Sequence, residues 1–472
     1  MKDRHIVIKL LNLLSIILLY YIAGKNSLFL YVITLSLYNI YSSCFEHISL
    51  KEKLKEVDNK NKIKLFKYTI LSISLVCLLF VILSILTSDT INVLLNIENT
   101  FLSYLIMSIS IISEPLTKIS LEYLESYNKP KLSSRLLNTY YILEIILFLI
   151  ISIFSILIFK LPTHISISLL YLSKIISCIL ISIIIYLVLK KEKVNIEKKE
   201  ENKLNYKNEL KTILTNNSHK SIINIVKNSY YYISIIVLYM ILSTKYSYSV
   251  SNIEQVITFI YLFALTIVNF IVDTIMKITN NNDKKINIIS HILNIFKFMI
   301  TIAIILAVTS PLICKIIFND SSNSIYLMML SFLSIFISLF DATFDNIKNK
   351  KIIYTSLIVG IVSKIILIVP LINSFYRMGY NLVYGDIIST IISVFISIII
   401  NYIYLKNKNK KEKTFEKILT TLYESMLLCI ILIILQFIIP IKTNNYFLTL
   451  LTFVIYVSIS IMFLNFKKKK RG

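Results

Sequence analysis

The chain has 472 residues and a formal net charge of +24, yet 56% of its residues are hydrophobic and only 16% are charged. This composition excludes an ordinary soluble globular protein, because a water-exposed surface needs more charged side chains. The basic residues are spread between apolar segments and form no single patch, which argues against nucleic acid as a partner.

Long apolar segments follow one another along the chain. A transmembrane helix needs about 20 mostly apolar residues, and about fourteen segments meet this criterion. The fold class is therefore predicted as all-α, a polytopic membrane protein. The predicted spans are 6–23, 27–45, 66–88, 100–124, 136–160, 165–189, 221–243, 253–276, 291–316, 324–346, 352–372, 385–405, 418–441 and 446–466.

The order of the spans predicts two similar halves and an appendage. Residues 1–189 form an N-terminal six-helix bundle, 190–220 a charged cytoplasmic linker and 221–405 a C-terminal six-helix bundle. Residues 406–472 form an extra helix pair with a basic cytoplasmic tail. Two equal halves indicate an internal duplication, which is common in transporters.

Every second loop is rich in lysine, and this alternation predicts the orientation. Cytoplasmic loops of membrane proteins collect Lys and Arg, and roughly three quarters of these residues fall on one predicted side. Both termini are then cytoplasmic. The lysine-rich loops and tail are 51–67, 129–135, 190–220, 277–285, 348–351, 406–417 and 467–471.

The chain carries no motif for a metal, a cofactor or a known catalytic reaction. Its five Cys and five His form no C-x-x-C or H-x-x-x-H spacing, which predicts free thiols and no metal. Nucleotide-binding glycine loops and hydrolase motifs are missing as well. We therefore expect no cofactor and no enzymatic activity.

Ionisable residues within membrane spans are costly, so each is a functional candidate. Glu114 and Lys118 lie one helical turn apart with the acid first, the favourable order for an ion pair. Pro115 lies between them and predicts a kink or a broken helix. A kinked span with paired charges suits a gate or a cavity wall, whereas at a cytoplasmic helix end both charges would simply be solvated.

Lys9 and Lys227 lie at similar depths in the first spans of the two halves. If the halves face each other, both lysines point into a shared cavity that would attract an anionic head such as a diphosphate. In the eleventh span Gly360 and Lys364, one turn apart, would place a further cation beside a close helix contact.

The other charges in the spans have structural interpretations. Lys118, Lys174 and Lys297 are interpreted as lysines that extend to the nearer membrane interface. Asp273 and Asp386 lie near predicted helix ends and are interpreted as solvated.

Four segments resemble one family of membrane proteins. They are 108–115 (Ser-Ile-Ser-Ile-Ile-Ser-Glu-Pro), 37–46, which ends in Phe-Glu, 218–228, which opens the second half, and 378–393, which begins Met-Gly-Tyr-Asn-Leu. They are similar to segments of the Rft family, which is tied to translocation of dolichol-linked oligosaccharide. That family lies within the superfamily of multidrug, oligosaccharidyl-lipid and polysaccharide exporters, whose six, six and two arrangement of spans the chain also resembles.

The resemblance implies a function and two further site residues. Glu46 corresponds to the glutamate after the family's second span, although Glu46-His47 stands where the family favours arginines. Asp273 is the nearest acidic remnant of the eighth-span signature. The implied substrate is a polyprenyl-diphosphate oligosaccharide, translocated across the endoplasmic reticulum membrane for N-glycosylation.

Several alternatives stay open. Lysines 469 and 470 resemble a dilysine retrieval signal of the endoplasmic reticulum, but they are also ordinary cytoplasmic charge. A bacterial flippase of lipid-linked polysaccharide or peptidoglycan precursors would share the same fold, in a plasma membrane. A membrane-embedded glycosyltransferase and a non-transporting scaffold are two further classes. The bilayer is the expected environment, and the sequence indicates no particular protein partner.

Overall fold

In the computed structural model, the residues that the structure describes are mainly helical. Within them the structure contains no β-strand, which confirms the all-α class. The chain divides into two compact units, Met1–Thr258 and Phe259–Gly472. The described residues are 2–45, 49–51, 54, 59–95, 101–127, 129–191, 288–318, 324–345, 347, 349–380, 382–408, 451, 452, 454, 455 and 458.

The helices are numbered here in chain order, as far as the structure describes them. A π-helical turn, Ile153–Ile158, follows α5 in the first unit. The first unit contains α1 (Lys2–Ser42), α2 (Asn59–Leu95), α3 (Phe101–Ser110), α4 (Ser113–Glu125), α5 (Pro130–Ser152), α6 (Thr163–Leu170) and α7 (Leu172–Lys191). The second contains α8 (Ile288–Phe318), α9 (Ser324–Asp345), α10 (Lys350–Arg377) and α11 (Val383–Lys408).

Seven helical segments in the described part are long and apolar enough to cross a membrane. Their outer faces are hydrophobic: in the segment Lys62–Ser88 of α2 only 22% of the apolar window is buried. Leu71, Leu79 and Leu86 of this helix expose 58%, 58% and 71% of their surface. A large exposed apolar surface of this kind is typical of contact with lipid tails. The protein is a multi-pass membrane protein.

The predicted spans of the second half agree closely with the helices that are described there. Spans 291–316, 324–346, 352–372 and 385–405 correspond to α8, α9, α10 and α11, with differences of a few residues at the ends. Spans 221–243, 253–276 and 418–441, the linker 190–220 beyond Lys191 and most of 446–466 lie outside the described residues.

The first two predicted spans were placed wrongly, because α1 runs without interruption from Lys2 to Ser42. The sequence predicted a turn between 6–23 and 27–45, at Gly24, Lys25 and Asn26. A single glycine inside a helix costs about 1 kcal/mol but removes no backbone hydrogen bond. Without a proline the helix therefore continues through these residues.

The break predicted near Pro115 is confirmed. Helix α3 ends at Ser110, the chain turns at Ile111 and Ile112, and α4 begins at Ser113. Pro115 thus lies in the first turn of α4, where its missing N–H would have no partner inside the helix. The span at 100–124 consists of two shorter helices, and the turn between them changes the direction of the side chains that follow.

Both units have tightly packed helix contacts. In the first unit, α4, α5 and α7 share a core cluster of buried residues: Leu121, Leu124, Leu136, Tyr140, Cys178, Ile181 and Ile185. In the second unit, a Cβ atom on Gly385 would lie 2.6 Å from the backbone nitrogen of Ile372. The Ser397 hydroxyl donates a 2.8 Å hydrogen bond to the Ser356 carbonyl, which joins α11 to α10.

Candidate substrate-binding site

A cavity of about 290 Å³ lies in the first unit, between the end of α1 and helices α4 and α5. Its walls combine aromatic rings with a few polar groups, which is typical of small-molecule sites. The lining residues are Ser42, Phe45, Glu114, Pro115, Thr117, Lys118, Leu137, Tyr140 and Tyr141.

The position of the cavity along α4 can be given relative to the contacts at the end of that helix. The Glu122 carboxylate near the end of α4 accepts hydrogen bonds from the Ser49 hydroxyl at 2.9 Å and the Leu50 N–H at 2.6 Å. These contacts hold the segment that follows α1 against α4. Glu114 precedes Glu122 by about two helical turns, roughly 12 Å along the helix axis. The cavity wall at Glu114 therefore lies about two helical turns along α4 from these contacts.

The predicted pair Glu114 and Lys118 lies on the wall of this cavity. Both side chains line it, one with a carboxylate and one with an ammonium group. The Tyr141 hydroxyl donates a long hydrogen bond, 3.5 Å, to Glu114 Oε1, which links α5 to α4. The structure thus brings together two of the site residues that the sequence predicted.

A second charged pair lies beside this site. Lys174 Nζ on α7 donates a hydrogen bond of 2.5 Å to Glu144 Oε1 on α5. The two side chains expose only 19% and 18% of their surface. Lys174 Nζ also lies 4.8 Å from the centroid of the Tyr38 ring, a favourable cation–π distance. The interpretation of Lys174 as a lysine that extends to the membrane interface is therefore wrong.

Sequence reasoning missed the pair itself, although both residues lie within predicted spans. Glu144 and Lys174 lie on different helices, and spacing along the chain cannot show that they meet. The available signal was one acid and one base on successive predicted spans, because an uncompensated charge in a membrane is costly.

Aromatic side chains surround the pair. The Tyr31 ring centroid lies 5.8 Å from that of Phe148 and 6.0 Å from that of Tyr171. Tyr38 also packs on Tyr171, at 6.0 Å. The Tyr171 hydroxyl donates a 2.9 Å hydrogen bond to Thr34 on α1. These contacts join α1 to the turn between α6 and α7, next to the charged residues.

In the second unit, Lys364 and Asp386 interact electrostatically between α10 and α11. They expose 7% and 1% of their surface, and Gly360 is buried one turn before Lys364. Asp386, by contrast, is not solvated. The first turn of α11 packs so closely on α10 that water is excluded, which the proximity of a predicted helix end does not reveal.

The remaining predicted site residues are not placed in the cavity by the structure. Lys9 lies on α1, and its side chain is not described. Glu46, Lys227 and Asp273 lie outside the described residues. Their roles stay predictions.

Comparison with known proteins shows the fold. No protein-family model and no curated protein matches the chain. Among solved structures, the lipid II flippase MurJ in an inward closed conformation is 17% identical, with a TM-score of 0.65 over 99% of this chain and 98% of that one. An inward-facing multidrug-resistance MATE transporter of the MOP superfamily is 12% identical, with a TM-score of 0.55 over 86% of this chain and 96% of that one.

An outward-facing MATE transporter is similar too, at 12% identity and a TM-score of 0.51 over 87% and 94% of the two chains. The chain therefore has the fold of MOP transporters, the superfamily that its arrangement of predicted spans resembles. Membership of the Rft family stays a prediction.

Proposed function

We propose that this protein is a flippase, which translocates a polyprenyl-diphosphate oligosaccharide across a membrane without chemical conversion. The observation that carries the proposal is the fold likeness to a lipid flippase over 99% of the chain. The two MATE transporters cover 86% and 87%. The part of this chain that the MATE transporters leave uncovered is similar in length to the predicted C-terminal helix pair, 406–472.

The proposed mechanism separates the polar head from the lipid tail. The head enters a cavity while the tail stays in the bilayer, and a rocking motion exposes the head to the other side. Lys9 and Lys227 attract the diphosphate, and Glu114 and Lys118 act as a gate. Glu46 and Asp273 are further candidates for substrate contact. Lys364 was a third candidate from the sequence, but its burial beside Asp386 favours a role in helix packing.

We place the protein in the endoplasmic reticulum membrane, with both termini cytoplasmic and a role in N-glycosylation. The segments that resemble the Rft family support this location, and the alternation of lysine-rich loops supports the orientation. A bacterial-type flippase of lipid-linked precursors is the second candidate, and the lipid II flippase fold favours it.

The function is tested by reconstituting the full chain in vesicles that contain a fluorescent polyprenyl-diphosphate oligosaccharide. We expect the labelled head to become accessible from the opposite leaflet at a rate proportional to the amount of protein. Vesicles with lipid II in place of this substrate test the second candidate. Equal rates with and without protein for both lipids would overturn the proposed function.

The diphosphate site has its own test. The double variant Lys9→Gln/Lys227→Gln should insert normally but lose most translocation, because the cations that attract the diphosphate are gone. Lys64→Gln/Lys67→Gln removes the same charge from the start of α2 and serves as the control. Wild-type translocation by the first double variant would remove the two lysines from the mechanism.

A further inference from the structure

The cavity of the first unit is nearly neutral. Among the residues that line it, Glu114 supplies the one carboxylate and Lys118 the one ammonium group. Glu144, the nearby second acid, is paired with Lys174. A diphosphate carries several negative charges and would meet Glu114 directly, so this cavity is unsuited to it.

Tyr140 offers a hydrogen-bonding group to an occupant. The residue lines the cavity, exposes only 1% of its surface and packs its ring in the core cluster of α4, α5 and α7. Within the described part of the chain its hydroxyl has no hydrogen-bond partner. Leaving a buried hydroxyl unsatisfied costs about 1–3 kcal/mol. The oxygen itself is fully covered by neighbouring side chains. A ligand hydroxyl would supply the missing bond once those side chains shift as the ligand enters.

The remaining walls suit a ring with both apolar and polar faces. Phe45, Tyr140 and Tyr141 provide aromatic surface, and Tyr140 and Tyr141 form an edge-on pair with centroids 5.2 Å apart. Ser42 and Thr117 add hydroxyl groups. The volume of about 290 Å³ lies at the lower end of small-molecule sites, which span about 300–1,000 Å³. The space therefore suits a small, neutral, polyhydroxylated ligand.

We propose that this cavity is a sugar subsite, which binds a neutral pyranose unit of the substrate head while the diphosphate lies outside it. The proposal rests on the proposed function and adds that separate sites bind the sugar and the diphosphate of the substrate. Glu114 accepts hydrogen bonds from sugar hydroxyls, Tyr140 donates or accepts one, and the aromatic rings cover the apolar ring face. Lys118 balances the charge of Glu114.

The test measures binding of a soluble neutral disaccharide to the full chain in lipid nanodiscs by calorimetry. Tyr140→Phe keeps the ring and removes one hydroxyl, so we expect roughly fivefold weaker binding. Glu114→Gln should weaken binding at least about tenfold, since bonds to a charged acceptor are stronger. Tyr171→Phe removes a buried hydroxyl elsewhere in the same unit and should leave binding unchanged.

Two competitors identify the chemistry and the source of the ligand. Inorganic diphosphate should not displace the disaccharide, whereas a short-chain lipid-linked oligosaccharide should. Displacement by diphosphate, or unaltered affinity in both Tyr140→Phe and Glu114→Gln, would overturn the subsite. If the lipid-linked oligosaccharide does not displace the disaccharide, the cavity does not bind the head of the transported lipid.

The subsite and the proposed function can fail separately. If the disaccharide does not bind but the vesicles still translocate lipid-linked oligosaccharide, the subsite is wrong and the flippase function stands. If the disaccharide binds with the expected variant effects but neither lipid is translocated, the subsite stands as a saccharide site and the flippase function is wrong.

Discussion

The two units each place a lysine and a carboxylate between neighbouring helices, but in opposite order. In the first unit Glu144 is on the fifth predicted span and Lys174 on the sixth. In the second unit Lys364 is on the eleventh and Asp386 on the twelfth. Each unit thus keeps a buried lysine near a carboxylate, although the order of the two residues along the chain differs. Within a membrane, the cost of a charge depends on its compensation and not on the helix that supplies it.

The surroundings of the two pairs differ more than the pairs themselves. The Glu144–Lys174 pair adjoins Tyr38, Glu114 and a cavity that can hold a ligand. In the second unit, the Ser389 and Thr390 hydroxyls donate to the Asp386 carbonyl at 2.7 and 2.9 Å, and the helices are in close contact. We therefore expect the first pair to act in transport and the second in helix packing.

The largest effect is expected for Lys364→Met. The substitution removes a cation beside Asp386, which is 1% exposed, and should destabilise the protein by about 3–5 kcal/mol. Thermal unfolding in detergent measures the loss, and the double variant Lys364→Met/Asp386→Leu should recover most of it. If Lys364→Met is stable but translocates no substrate, Lys364 binds substrate. The difference proposed between the two pairs, transport for one and helix packing for the other, would then be wrong.

A smaller loss of stability is expected for Lys174→Met, about 2–3 kcal/mol, because its pair is partly exposed. The translocation rate should fall even at temperatures where the variant is still folded, because the pair adjoins the cavity. A double-mutant cycle with Glu144→Gln should give a coupling of about 1–3 kcal/mol. If the two substitutions are additive, the side chains do not form an energetically coupled pair.

Gly385→Ala tests whether α10 and α11 of the second unit are in close contact. The added Cβ would approach the backbone of Ile372 to 2.6 Å, so α10 and α11 must separate. We expect destabilisation by about 1–3 kcal/mol in thermal unfolding. Gly379→Asn is the control: its position has open space and a φ of 72°, which asparagine tolerates. Equal stability of both variants would contradict the close helix contact.

The smallest effect is expected at the surface of the first unit. Lys51 Nζ lies 2.9 Å from Glu125 Oε2, and this hydrogen bond and the charge of Glu125 raise the pKa of Lys51. Because Lys51 exposes 52% of its side chain, Lys51→Met should cost less than about 1 kcal/mol, and high salt should reduce the difference. A raised lysine pKa stabilises the folded protein at neutral pH, and this contribution is lost only in strongly alkaline solution. A difference that persists in 1 M salt would contradict a simple surface ion pair.

Much of the fold followed from local properties of the sequence. Four helices of the second unit match their predicted spans, because an apolar segment of sufficient length forms a helix in lipid wherever it occurs. The break before Pro115 followed from its missing N–H. The turn predicted at Gly24 did not form, since a glycine weakens a helix but does not end it.

The candidate site was predictable only in part. Glu114 and Lys118, which line the cavity, could be proposed from the sequence because they lie one turn apart on one helix. Tyr140 and Tyr141 were not found, since a tyrosine in an apolar span gives no sign of lining a cavity. The role of Lys174 was misjudged because its partner is on another helix.

The sequence by itself determined that the chain is helical, lies in a membrane and has charged groups at certain depths, because each of these depends on short stretches of residues. Only the tertiary structure decided which charges meet: Glu144 with Lys174, and Lys364 with Asp386. Helices that are apolar on nearly every side can rotate about their axes without changing their hydrophobicity. Their rotation, and with it the pairing of buried charges, is therefore fixed by packing against neighbouring helices.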